Sequence, residues 1–187
     1  MTEMIRMVMT ADEFLKRPNT NPSIELINGE RVVTGPTDRP RQTLASNLIL
    51  KLYRLTVGDG ALHGSPTNLY LDEYNIYQPE VFWLSGQNNR WVLKGGLYCG
   101  APDLVIEVFS PNIEPRDKDA KFEVYDRYGV LEYWMIDLLA GYMEVWSLPQ
   151  NKCLRLSFLN PKEKFMSPVL YNQTIWLAPL FRHVDFT

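Results

Sequence analysis

The chain has 187 residues, 45% hydrophobic and 12% aromatic, which supplies a packed core and suits one domain spanning residues 1–187. A formal net charge of −3 and a pI near 5.5 exclude a protein that coats nucleic acid by bulk positive charge, but not a nuclease whose basic groups are local. No apolar run of about 18 residues is present, so no membrane span is expected. Cys99 and Cys153 lie far apart and read as free thiols, and MTEMIRMVMT has no signal-peptide pattern, so a cytoplasmic protein is expected.

In chain order, Thr10 with Glu13 is a capping-box pattern for a short helix over about Ala11–Arg17, ending before Pro18 and a loop over Asn19–Pro22. Ser23–Thr34 reads as a hairpin, with Ile24-Glu25-Leu26-Ile27 and Arg31-Val32-Val33 about an Asn28-Gly29 turn, closed by Gly35-Pro36. Alternation puts Glu25 on the same face as Ile27. Leu44, Leu48, Leu52 and Leu55 make a helical stripe over Thr43–Val57, ended by Gly58 and Gly60. Ala61–Ser65, Asn68–Leu71 and Val81–Leu84 are short strands, whereas Trp91–Leu93 and Leu97–Cys99 are ambiguous around Gly95-Gly96. Asp103–Phe109 is a strand that stops at Ser110-Pro111. Asp117–Tyr128 is a helix with Gly129 at its C-terminal cap, and it presents Asp117, Lys121 and Tyr125 on one face. Strands follow at Leu131–Asp137, Tyr142–Leu148 and, after a Pro149–Asn151 turn, Cys153–Phe158. The tail Pro168–Leu180 holds one or two more. The sum is an α/β domain with a mixed sheet and a β-rich C-terminal part.

The feature that points to chemistry is Glu107, an acid inside the apolar run Leu104–Phe109. A buried carboxylate is costly unless it is paired, hydrogen-bonded or bound to a metal. If Glu80 and Glu107 lie on adjacent strands, two carboxylates with water make a site for Mg²⁺ or Mn²⁺. Such a metal activates water and stabilises phosphoryl charge. Lys121, from the following helix, supplies a cation, and Glu25 a third acid. Plainer readings stand beside these. Glu80 can be an edge acid, Glu25 a hairpin surface charge, and Lys121 half of a solvated pair with Asp117. Asp103 reads as an edge or capping acid. His63 and His183 occupy unrelated contexts, which argues against zinc, and Tyr133 and Trp134 read as packing.

The motifs Asp12-Glu13-Phe14-Leu15, Ile24 to Glu30, Pro102 to Pro111, Asp117 with Lys121, and Tyr128 to Trp134 together resemble the Uma2 family over nearly the whole chain. That family was once described as a domain of unknown function abundant in cyanobacteria. The resemblance implies a restriction-endonuclease-like core of the PD-(D/E)xK type: a central mixed β-sheet flanked by helices, with acids on two strands. It implies a metal-dependent nuclease acting on nucleic acid, DNA by preference, and a homodimer. Glu80 and Glu107 fall on the metal acids, Lys121 on the helix lysine, and Glu25 on the hairpin acid. Two departures are visible. Glu80 stands in place of aspartate, and Arg39, Arg41 and Gln42 stand where the family has a histidine near the start of the helix after Pro36. They keep open a weakened nuclease-fold module that binds or regulates, and an assembly protein that uses its aromatics to oligomerise.

Overall fold

The computed structural model describes residues 8–17, 24–33, 38–109, 115–148 and 153–184, with the side chains of 115–117 excepted. The expected loop at Asn19–Pro22, the breaks at Gly35-Pro36 and Ser110-Pro111, and the Pro149–Asn151 turn lie outside these residues. So does the Asp117 side chain.

Helix α1 (Ala11–Leu15) has the full capping box, with Thr10 and Glu13 each satisfying the other's backbone N–H. It ends two residues before the expected end at Arg17. The hairpin β1 (Ile24–Ile27) and β2 (Glu30–Val33) turns through Asn28 and Gly29, both at positive φ (49° and 77°), the geometry a two-residue turn demands. Helix α2 (Arg39–Thr56) starts four residues before Thr43. Asp38 caps it by accepting from the Arg41 N–H, and proline is tolerated in a first turn. That early start carries Arg41 into the helix.

The strands β3 (Ala61–Gly64), β4 (Leu69–Asp72), β5 (Asn75–Tyr77), β6 (Val81–Leu84), β7 (Trp91–Lys94), β8 (Leu97–Gly100) and β9 (Leu104–Phe109) follow. The ambiguous segments 91–93 and 97–99 are thus a hairpin. After α3 (Pro115–Tyr128) come β10 (Glu132–Asp137), β11 (Tyr142–Ser147), β12 (Leu154–Leu159), β13 (Lys164–Ser167) and β14 (Gln173–Trp176). Of the two tail strands, β13 lies before Pro168 rather than after it.

One six-stranded mixed sheet has the order β12-β11-β10-β9-β6-β3, with β9 and β10 parallel. A helix lies on each face of it. Leu104, Ile106 and Val108 of β9 pack with Leu44, Leu48 and Leu52 of α2 and with residues of the C-terminal strands. Val105 and Phe109 pack with Val124 and Tyr125 of α3 on the other face. Glu107 has the parity of Val105 and Phe109, so it points toward α3. This is the expected helix-flanked mixed sheet. The hairpin β1–β2 joins a second six-stranded sheet of order β2-β1-β5-β4-β8-β7. Its β5 partner, Asn75–Tyr77, is a three-residue strand that the sequence pattern does not mark. Glu25 therefore belongs to one sheet and Glu107 to the other.

Candidate active site

Glu107 sits in the middle of β9, a strand buried at all six positions. The antiparallel pairing of β6 with β9 runs through Val81↔Ile106. Continued by one step past the end of the ladder, that register leads from Val81 and Ile106 to Glu80 and Glu107. Glu80 directly precedes β6, after Pro79, so the turn into the strand sets its position. The adjacency of these two acids follows from register between strands far apart in sequence.

Lys121 comes down from α3, and Tyr125 follows one turn later on the same face. The Lys121 Nζ donates to Glu107 Oε1 at 2.8 Å and to Glu25 Oε1 at 2.9 Å. It also stands 2.8 Å from Glu25 Oε2, an oxygen that accepts no hydrogen bond among the described residues. The Tyr125 hydroxyl donates to the same Glu107 Oε1 at 2.8 Å. The Gln78 backbone N–H donates to Glu25 Oε1 at 2.6 Å, so the segment leading to Glu80 also fixes Glu25. The Tyr77 ring lies 5.4 Å from Nζ and meets Tyr125 edge-on. Lys121 thus joins the two sheets through one carboxylate from each.

Exposure decides against the plain readings of these charges. Glu25 is 0% exposed, Glu107 2%, Glu80 4% and Lys121 5%. Glu25 is not a hairpin surface charge, Glu80 is not a solvent-facing edge acid, and Lys121 is not on a solvated face. Burial opposes the Lys121 charge, but Glu107 and then Glu25 outweigh it and hold its pKa above the ordinary value. Burial pushes Glu107 up; Lys121 pulls it down, Glu25 repels it, and the upward direction prevails. Burial likewise raises the Tyr77 and Tyr125 hydroxyls, which remain protonated donors.

A fifth residue completes the cluster. Arg41, on the first turn of α2, donates through Nε to Glu80 Oε2. Desolvation works against the guanidinium, yet Glu80, and then Glu107 and Glu25, raise its pKa. Arg41 is one of the basic residues standing where the resemblance leads one to look for histidine. Three carboxylates therefore face two cations, all nearly out of water.

A family model described as "Putative restriction endonuclease", Uma2, matches residues 11–179. The chain belongs to the Uma2 family. The match spans every acid and cation of the cluster. Among solved structures, the crystal structure of a putative nuclease of the DUF820 group from Anabaena variabilis ATCC 29413 superposes with a TM-score of 0.79 at 17% identity. The match covers 95% of this chain and 99% of that one, which establishes a shared fold. No curated protein matches the chain.

Within this Uma2 chain, the other singled-out residues fall elsewhere. Asp103 is neither an edge nor a capping acid. It is a buried junction that pairs with Arg90 Nη2 at 2.8 Å and accepts from the Ser85 N–H at 2.7 Å and Asn88 Nδ2 at 2.8 Å. His63 packs against Phe82 and Tyr98, and burial lowers its pKa. Tyr133 and Trp134 are core. Among the described residues no group of three or more His, Cys, Asp or Glu side chains is placed to hold a metal. Glu80, just before β6, and Glu107, in the neighbouring β9, offer two carboxylates, which fits a cation that completes its shell with water and substrate oxygens. Arg41, Gln78 and Tyr125 went unassigned in the sequence. Two signals point toward Arg41: its place where the family has a histidine, and the helix start at Asp38-Arg39-Pro40.

Proposed function

We propose that this Uma2 protein is a metal-dependent nuclease that hydrolyses phosphodiesters of nucleic acid, with DNA as the substrate. The observation that carries the reading is the buried Lys121 bonded to Glu25 of one sheet and Glu107 of the other, with a buried Glu80 held by Arg41, whose charge all three acids act on. Glu80 and Glu107 would hold Mg²⁺ or Mn²⁺, which supplies an activated water and charge stabilisation at the phosphate. Lys121 has three N–H donors, of which Glu25 and Glu107 engage two. The third is left to orient water or a phosphoryl oxygen. Glu25 positions the ammonium and keeps it charged. Tyr125 donates to Glu107 Oε1, the oxygen Lys121 uses, so Oε2 is the oxygen that would serve a metal.

The test is conversion of supercoiled plasmid with Mg²⁺ or Mn²⁺ by wild type, Glu107→Gln and Lys121→Met. Cutting that is lost in both variants and with chelator supports the reading. Cutting that survives in both refutes the assignment. One observation favours a second reading, a module that binds nucleic acid without cutting it: Glu80 already carries a cation, Arg41. DNA binding without metal uptake or cleavage would select it. We further propose a homodimer, which light scattering tests.

A further inference from the structure

Arg41 is partly buried against Glu80, its side chain 11% exposed, and the charges of Glu107 and Glu25 also act on it. Lys121 already serves Glu25 and Glu107. The second cation is thus directed at the one acid that Lys121 leaves unserved. A guanidinium is always protonated, so it cannot leave Glu80 by losing its charge. It can leave only by moving. A divalent metal seated between Glu80 and Glu107 would share the Glu80 carboxylate with Arg41, which holds its Oε2, and would meet a positive charge a few ångströms away.

We propose that Arg41 is a tethered cation that competes with the divalent metal for Glu80 and sets how tightly the Glu80–Glu107 pair takes it. This rests on reading that pair as a metal site. Displacement from Glu80 frees one carboxylate oxygen and removes the repulsion between one charge and two. Even with water's screening at about 5 Å, the repulsion alone is worth on the order of tenfold in metal affinity. The released guanidinium, still anchored on α2, is suited to a phosphate oxygen.

The experiment is calorimetric titration of the full chain with Mn²⁺ at pH 7.5, without nucleic acid. The proteins are wild type, Arg41→Gln, Arg41→Met, and Arg41→Gln combined with Glu80→Gln. Circular dichroism confirms the fold, and Arg41→Met serves if Arg41→Gln does not fold. The expected result is at least tenfold tighter Mn²⁺ binding when Arg41 is neutralised, with the gain abolished when Glu80 is also changed. Equal or weaker binding by the folded single variants overturns the proposal, as does a gain that survives the loss of Glu80. Tight binding in a protein that cuts nothing would refute the nuclease reading and leave this inference standing.

Discussion

Replacing Lys121 with methionine keeps the apolar stem and deletes the charge. Glu25 and Glu107 then face each other across the gap that Nζ bridges at 2.9 Å and 2.8 Å. Removing one partner of a buried ion pair costs about 3–5 kcal/mol, because the other charge stays buried without compensation. For a domain of this size, 1 kcal/mol moves Tm by about 2–4 °C, so the loss should be roughly 6–20 °C at pH 7.5. The sign of the pH dependence follows from the same charges. Without Lys121 the folded-state pKa of Glu107, already raised, rises further above the unfolded value. The stability Glu107 contributes is then full below the ordinary glutamate range and lost as pH rises through the folded pKa. The Tm gap between Lys121→Met and wild type should therefore shrink as pH falls from 7.5 toward 4.5. Adding Glu25→Gln should recover part of the loss at pH 7.5. Thermal denaturation followed by circular dichroism reads all three. A loss of less than about 1 kcal/mol, or a gap that does not change with pH, would refute the reasoning.

Glu132 is a buried acid outside the cluster, accepting from Ser167 Oγ at 2.7 Å and Trp134 Nε1 at 2.6 Å, and it ties the tail strands to the central sheet. Burial raises its pKa above the usual value despite those bonds, so its contribution is full at low pH and lost as pH rises through the folded pKa. The stability of Glu132→Gln relative to wild type should improve steadily from pH 4 to pH 7 in urea denaturation. Tyr125→Phe should cost about 1–2 kcal/mol by removing a donor to Glu107, with the fold intact by circular dichroism. Asp103→Ala leaves the Ser85 N–H, Asn88 and Arg90 without their acceptor and should cost about 2–4 kcal/mol in the same denaturation, without altering Mn²⁺ affinity.

Much of this arrangement is written locally. Glu107 stands out because it breaks an apolar run, and Lys121 and Tyr125 share a face by helical spacing. Glu25 is legible because Asn28-Gly29 fixes the hairpin and alternation then assigns its face. What alternation cannot say is whether that face meets solvent or a second sheet. Burial of Glu25 depends on β5, a three-residue strand, and on a sheet assembled from distant segments. The opposition of Glu80 and Glu107 depends on pairing register, which is likewise set at a distance. Arg41 was hidden for another reason. An arginine beside a proline at a helix start looks solvated in sequence, and only the packing of α2 on the sheet carries it to Glu80.

The most direct test of the account is a crystal of Arg41→Gln soaked with Mn²⁺ and measured for anomalous scattering. The account predicts a peak within coordination distance of both Glu80 and Glu107, with Lys121 still bonded to Glu25. A peak that touches neither acid, or none at saturating Mn²⁺, would contradict it.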